Sequence, residues 1–195
     1  MVGKSIVALV LAALVAVGWT RHEDRLKEQD RLAKVASELV GRRVGVRCPN
    51  FVKKLVYTSA EAGTVGFDGN GKPNDFTELA PETCDALRRV SPTDFDCLDT
   101  GTCADKQFRK AWAIQTVAHE VWHMRGIGEE STTQCYGMQT TAAVAIRLGL
   151  SPARAAQIQH WVFVKGYPDM PDEYRTSACH NGSRLDLNPA SAVFP

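Results

Sequence analysis

QTVAHEVWHMRGIGEESTTQC, residues 115–135, reads as two helices joined by a glycine turn, with an HExxH pattern at 119–123. Residues four apart on a helix share a face, so His119 and His123 can offer two imidazoles to one ion. Glu120 sits one position round the helix, off that ridge but within reach of a water held there. Two nitrogen ligands, a third ligand from elsewhere and a carboxylate base beside an open position are what zinc-assisted hydrolysis requires.

The apolar positions around the motif include Phe108, Ala111, Trp112, Ile114, Val117, Ala118, Val121 and Trp122. They cover more than one face, which predicts a largely buried central helix over about 106–125. Gly126 is its expected stop. A second helix is expected over 129–148, with Cys135, Met138, Ala142 and Ile146 as its inward stripe. Ser151-Pro152 supplies a cap and first-turn pair for a third, reaching about residue 164.

Either Glu129 or Glu130 can complete the donor set. At about 100° per residue, Glu130 projects nearer the inward stripe and is favoured. Acid at Glu129 suits the positive end of the helix dipole. His160 and His180 are further donors in principle.

N-terminal to the motif the character is different. Short β-prone pieces occur at 44–47, 55–58 and 64–68, with Gly69-Asn70-Gly71 marking a turn, and a small antiparallel sheet is expected. A strand at 64–68 would be placed to pair with an extended substrate. Pro81 opens a short helix running to about residue 90. Residues 91–105 are loop-like. Residues 21–40 are rich in charge and carry a sparse helical stripe of Leu26, Leu32, Val35 and Leu39.

The N-terminus reads MVGKSIVALVLAALVAVGWT. Residues 5–20 are uncharged and would span about 24 Å as a helix, short of the roughly 30 Å hydrocarbon core. A secretory signal peptide with cleavage before Trp19 is expected, or an uncleaved signal anchor. Three regions follow: residues 1–18 as signal or anchor, 19–43 as a charged helical linker, and 44–195 as the domain. Removing residues 1–18 takes away Lys4 alone and leaves 22 basic against 22 acidic residues. With a net charge of +1 for the whole chain and no basic stripe, nucleic-acid binding is not expected.

Six cysteines, at 48, 84, 97, 103, 135 and 179, suggest three disulfides in an exported chain. Many pairings are open and spacing does not choose among them. Cys48–Cys84, Cys97–Cys103 and Cys135–Cys179 is the set expected here. The fold class that results is α+β, mainly helical and disulfide-stabilised. Secretion or attachment to the outer face of the cell membrane follows from the N-terminus.

His119-Glu120-Val121-Trp122-His123-Met124-Arg125-Gly126, with Glu130 and Cys135 beyond it, resembles the zincin metallopeptidases. More narrowly it is similar to small exported HExxH proteins with a glutamate at the head of the next helix, in the manner of the gluzincins. The likeness covers about residues 105–150, together with the tail EYRTSACHNGSRLDL at 173–187. It implies one zinc ion on His119, His123 and Glu130, Glu120 as general base, and a peptide or protein substrate. In the larger gluzincins the third ligand lies much further along the chain. The metzincin pattern is matched through Gly126 but has Glu129 at its third-ligand position, and Met170 is a poor methionine turn. A zinc ion of this kind lowers the pKa of bound water to about 7. A donor to the developing oxyanion is also needed. Tyr136, Tyr167, Tyr174, His160 and His180 are the candidates, and the sequence does not choose among them.

Overall fold

The computed structural model describes residues 2–50 and 61–195, with side chains from Gly18 onward. The β-prone piece at 55–58 lies outside the described residues. The chain is mainly helical with one small sheet. In order, the elements are α1 (Val2–Val40), β1 (Gly45–Arg47), β2 (Gly63–Thr64), β3 (Phe76–Leu79), α2 (Pro81–Arg88), α3 (Asp105–Met124), α4 (Glu130–Arg147) and α5 (Pro152–Gly166). Short 3-10 turns occur at Pro92–Asp99, Tyr167–Asp169 and Asp172–Tyr174.

α3 is the axis of the body, and twelve of its residues are buried. α4 and α5 pack along it on one side, while α2 and the end of α1 cover others. Leu32, Val35 and Ala36 of α1 are buried with Ile114, Val121 and Met124 of α3 in one core. The stripe read at Leu32 and Val35 is therefore a core face, and this end of α1 packs as part of the body. Gly41 stops the helix with φ 83°, a left-handed conformation that costs glycine little. Ser37 Oγ then accepts from Val44 N at 3.0 Å, setting the entry to β1. Arg42 donates to the Met124 carbonyl at 2.7 Å and to Asp75 at 2.6 Å, tying the end of α3 to the sheet.

The sheet is mixed, a correction to the antiparallel expectation. Its order is β1-β3-β2, with β1 parallel to β3 (Val46 opposite Thr77) and β2 antiparallel to it (Thr64 opposite Glu78). A parallel pair needs a long crossover, which no local turn signal announces. The strand expected at 64–68 is also shorter. Thr64 ends β2, and Phe67 makes one isolated bridge to Pro73. The turn at 69–71 forms as expected. Asp68 accepts from the Asn70 and Lys72 amides at 2.9 Å each, and these bonds hold its carboxyl below the ordinary value.

All three expected disulfides are present. Cys48–Cys84 joins the end of β1 to α2, Cys97–Cys103 closes the loop before α3, and Cys135–Cys179 straps the tail to α4. Three such bonds point to an oxidising environment. Among the described residues, no helix is long and apolar enough to cross a membrane.

The inward face of α4 differs from the expected stripe. Cys135 and Met138 are buried, but Ile146 is 43 % exposed, and the buried set includes Gln134, Gly137, Thr141 and Ala145. The polar members of this face matter for the site. At Gly137 a Cβ would stand only 3.0 Å from the His119 Cα and 3.1 Å from its N, so the glycine lets α4 approach α3 beside the motif.

Candidate metal centre

His119 and His123 are both buried on α3, one turn apart. The helix ends just beyond them. Gly126 takes φ 99°, its amide bonds to the His123 carbonyl at 2.8 Å, and Ile127 N reaches Trp122 O at 3.1 Å. That reversal returns the chain so that Glu130, the first residue of α4, faces the histidines. Its Oε2 lies 3.2 Å from His119 Nε2 and 3.3 Å from His123 Nε2. The ligand atoms of the three residues all lie within 4.8 Å of one another.

The two distances to Glu130 are close to those between neighbouring ligands of one metal ion. Bonds of about 2.1 Å at tetrahedral angles separate neighbouring ligands by roughly 3.4 Å. Of the two candidate glutamates, the one in the cluster is Glu130. Glu129 is the N-cap of α4, accepting from Ser131 N at 3.0 Å and Thr132 N at 2.6 Å. It is committed to the helix and takes no part in the cluster. Slight burial would raise its pKa, but the bonds from Ser131 and Thr132 prevail and lower it.

The far side of each imidazole fixes its tautomer. His123 Nδ1 lies 2.7 Å from the Ile127 carbonyl, and His119 Nδ1 lies 2.7 Å from Gln134 Oε1. A carbonyl and an amide oxygen only accept, so both Nδ1 atoms carry the hydrogen. Both Nε2 lone pairs then point at a carboxylate oxygen. Three acceptors then converge, and either a metal ion or a proton on an imidazole can satisfy them. The cluster therefore forms a group able to bind a metal ion. When an imidazole is protonated and no metal is bound, its Nε2 donates instead: burial would raise the Glu130 carboxyl, but such bonds from His119 and His123 hold it at about 2. Burial likewise disfavours charge on His123, yet the Glu130 hydrogen bond and charge raise its pKa.

Glu120 is 2 % exposed. Burial pushes its carboxyl above the ordinary value, against the pull of His119, His123 and the Thr77 hydroxyl. Thr77 Oγ1 lies 3.2 Å from Glu120 Oε2 and 3.0 Å from Thr64 O, so it can donate to either. β2 passes over the other oxygen. A Cβ at Gly63 would fall 2.7 Å from Glu120 Oε1, so a larger residue there would have to displace the carboxylate.

Of the five candidate oxyanion donors, Tyr174 is brought to the cluster, its ring centroid 6.0 Å from that of His119. Burial, then the charges of Glu130, Glu61, Glu173 and Glu120, raise its pKa and keep the phenol neutral. Tyr167 is engaged with Thr176, whose amide donates to its hydroxyl at 3.0 Å. Tyr136 packs on Trp122 at 4.7 Å. His160 is exposed on α5, and His180 is exposed with its Nδ1 2.9 Å from Asn181 O.

Sequence reading missed the supports. Gln134 Oε1 also accepts from Gln115 Nε2 at 3.1 Å, and its own amide donates to Met170 Sδ at 2.9 Å. Met170 thus supports the site from below through Gln134. A signal was available: Gln115 precedes His119 by four residues and Gln134 follows Glu130 by four. Each continues a ligand face with a polar residue where an apolar one would pack. Thr77 and Gly63 had no local signal, because only the sheet brings them to α3.

Glu130 is the most exposed of the three donors, its side chain 39 % exposed. A separate cleft of about 870 Å³, bordered by Phe108, Trp112 and Pro171, contains none of the three donors. It borders the site through Met170 and through Glu61, whose charge acts on Tyr174, so convergence of donors, not cavity size, locates the chemistry. No family model, curated protein or solved structure matches the chain.

Proposed function

We propose that the protein is an exported zinc-dependent peptidase, secreted or held at the outer face of the cell membrane, with a peptide or protein substrate. One observation carries the reading: two tautomer-fixed imidazoles and a carboxylate direct their lone pairs at one point. Their number and type, two nitrogens and one oxygen, suit catalytic zinc, which takes three protein ligands and a water. The resemblance of residues 105–150 to the zincins supports the same conclusion.

Bound zinc would supply a Lewis acid that acidifies a water and polarises a peptide carbonyl. The chain's own residues do the rest. Glu120, its carboxyl raised by burial, accepts a proton during attack and returns it to the leaving amine. Thr77 holds that carboxylate in place. Tyr174, neutral and beside His119, is the candidate oxyanion donor.

A second reading rests on the depth of Glu120. A carboxylate 2 % exposed, wedged against Gly63 and bonded by Thr77, also suits a metal-holding binding domain without turnover. Zinc analysis beside Glu120→Gln separates the two. The peptidase reading expects stoichiometric zinc in both proteins, with chelator-sensitive peptide hydrolysis only in the unsubstituted chain. Zinc retained with no hydrolysis of any peptide library favours the binding domain. A folded protein without zinc rejects both.

A further inference from the structure

Met170 belongs both to the support of the metal centre and to the neighbouring cleft. Its Sδ accepts from Gln134 Nε2 at 2.9 Å, and Gln134 Oε1 lies 2.7 Å from His119 Nδ1. One side-chain amide therefore joins this thioether to a donor of the cluster. The same residue is half-buried and lines the open cleft of about 870 Å³. The other methionines with described side chains are closed off in the core, Met124 at 1 % exposure and Met138 at 0 %. An oxidant must meet the sulfur to modify it, so Met170 is the thioether open to attack among the described residues.

Oxidation there changes what Gln134 meets. A thioether is a soft, weak acceptor, whereas a sulfoxide carries an added polar oxygen. An oxygen accepting from Gln134 Nε2 at the ordinary distance of about 2.9 Å would stand where the sulfur stands now. Room for it comes only from moving the sulfur back or turning the Gln134 amide. Met170 is held by its own amide, which bonds to Tyr167 O at 3.3 Å, so part of the displacement falls on Gln134. Gln134 is 1 % exposed and its Oε1 is shared by Gln115 and His119. Turning that amide takes from His119 the partner that orients its ring.

Resting on the metal-centre reading, we infer that Met170 is an oxidation site through which peroxide weakens the hold of the cluster on its metal ion. The Met170 sulfur attacks one oxygen of hydrogen peroxide. An S–O bond forms and the O–O bond breaks. Sulfur gives up two electrons, and the departing oxygen takes the proton of the attacked one and leaves as water. Reduction of the sulfoxide restores the thioether and the original site.

The test treats the zinc-loaded full chain with dilute hydrogen peroxide. Peptide mass mapping locates the added oxygen, and competition with a chromophoric chelator reads zinc affinity before and after. Met170 should gain one oxygen before Met124 and Met138 do. Zinc affinity should then fall about fivefold, somewhat less than the loss of an outer-shell partner itself brings. In Met170→Leu, whatever its starting affinity, the same treatment should change nothing. Met170 left unmodified where free methionine is oxidised, a modified Met170 with zinc affinity unchanged, or an equal loss in Met170→Leu would each overturn the inference and leave the zinc reading intact. Absence of zinc from the folded, untreated chain overturns the zinc reading and this inference with it.

Discussion

Gln134→Leu changes the site without touching a ligand, which makes its outcome informative. The substitution nearly conserves volume but removes the oxygen that accepts from His119 Nδ1 at 2.7 Å and from Gln115 Nε2 at 3.1 Å. The imidazole then loses the partner that fixes its tautomer. Loss of such an outer partner typically costs about ten- to a hundredfold in metal affinity, or roughly 1.4–2.7 kcal/mol. Two buried donors are also left unpaired, at about 1–3 kcal/mol each, so the metal-free protein should lose a few kcal/mol of stability. Zinc affinity would be read by competition with a chromophoric chelator, and stability by urea unfolding of chelator-treated protein. Gln139→Leu is the matched control. Gln139 bonds Leu185 O and Leu187 N of the tail, both at 2.8 Å, so its loss should lower stability and spare zinc. Zinc affinity in Gln134→Leu within twofold of the unsubstituted chain would refute the tautomer argument.

Glu130→Ala should abolish stoichiometric zinc, whereas Glu129→Ala should keep it and cost about 1 kcal/mol as a lost helix cap; elemental analysis and thermal melts separate the two. Gly137→Ala should push α4 off the His119 backbone, costing about 1–3 kcal/mol by overpacking and weakening zinc binding in the same titration. Asp99, paired with Arg154 at 2.8 Å, has a folded pKa held below its ordinary 3.8. Its contribution is present above pH 3.8 and is lost as pH falls through the lower folded value, so the melting difference between the unsubstituted chain and Asp99→Asn should shrink on acidification below that pH.

The site was largely legible because its geometry is local. His119 and His123 are one turn apart on a single helix, Gly126 is the turn, and Glu130 begins the next helix, so spacing places the two histidines and narrows the third residue to Glu129 or Glu130. The same turn brings Ile127 O to His123 Nδ1. What the sequence hid lies across the fold. Thr77 reaches Glu120 from 43 residues away, through a strand whose parallel partner β1 was read as antiparallel. Ile146 was read as core and is exposed, while Gln134, outside the stripe that was read, is buried. A period-3.6 reading of α4 scores side chains by hydrophobicity. On this face the helix buries amides because His119 and Gln115 are there to bond them. Residues 32–36 of α1 show the reverse case. Their apolar stripe was visible, but the surrounding charge run hid its place in the core.

X-ray absorption at the zinc edge of the purified, zinc-loaded chain probes the donor cluster most directly. Two imidazole shells and oxygen donors, all at about 2.0–2.2 Å with no sulfur, are what His119, His123 and Glu130 predict. A sulfur shell near 2.3 Å, a single imidazole, or a spectrum unchanged by Glu130→Ala would contradict the account.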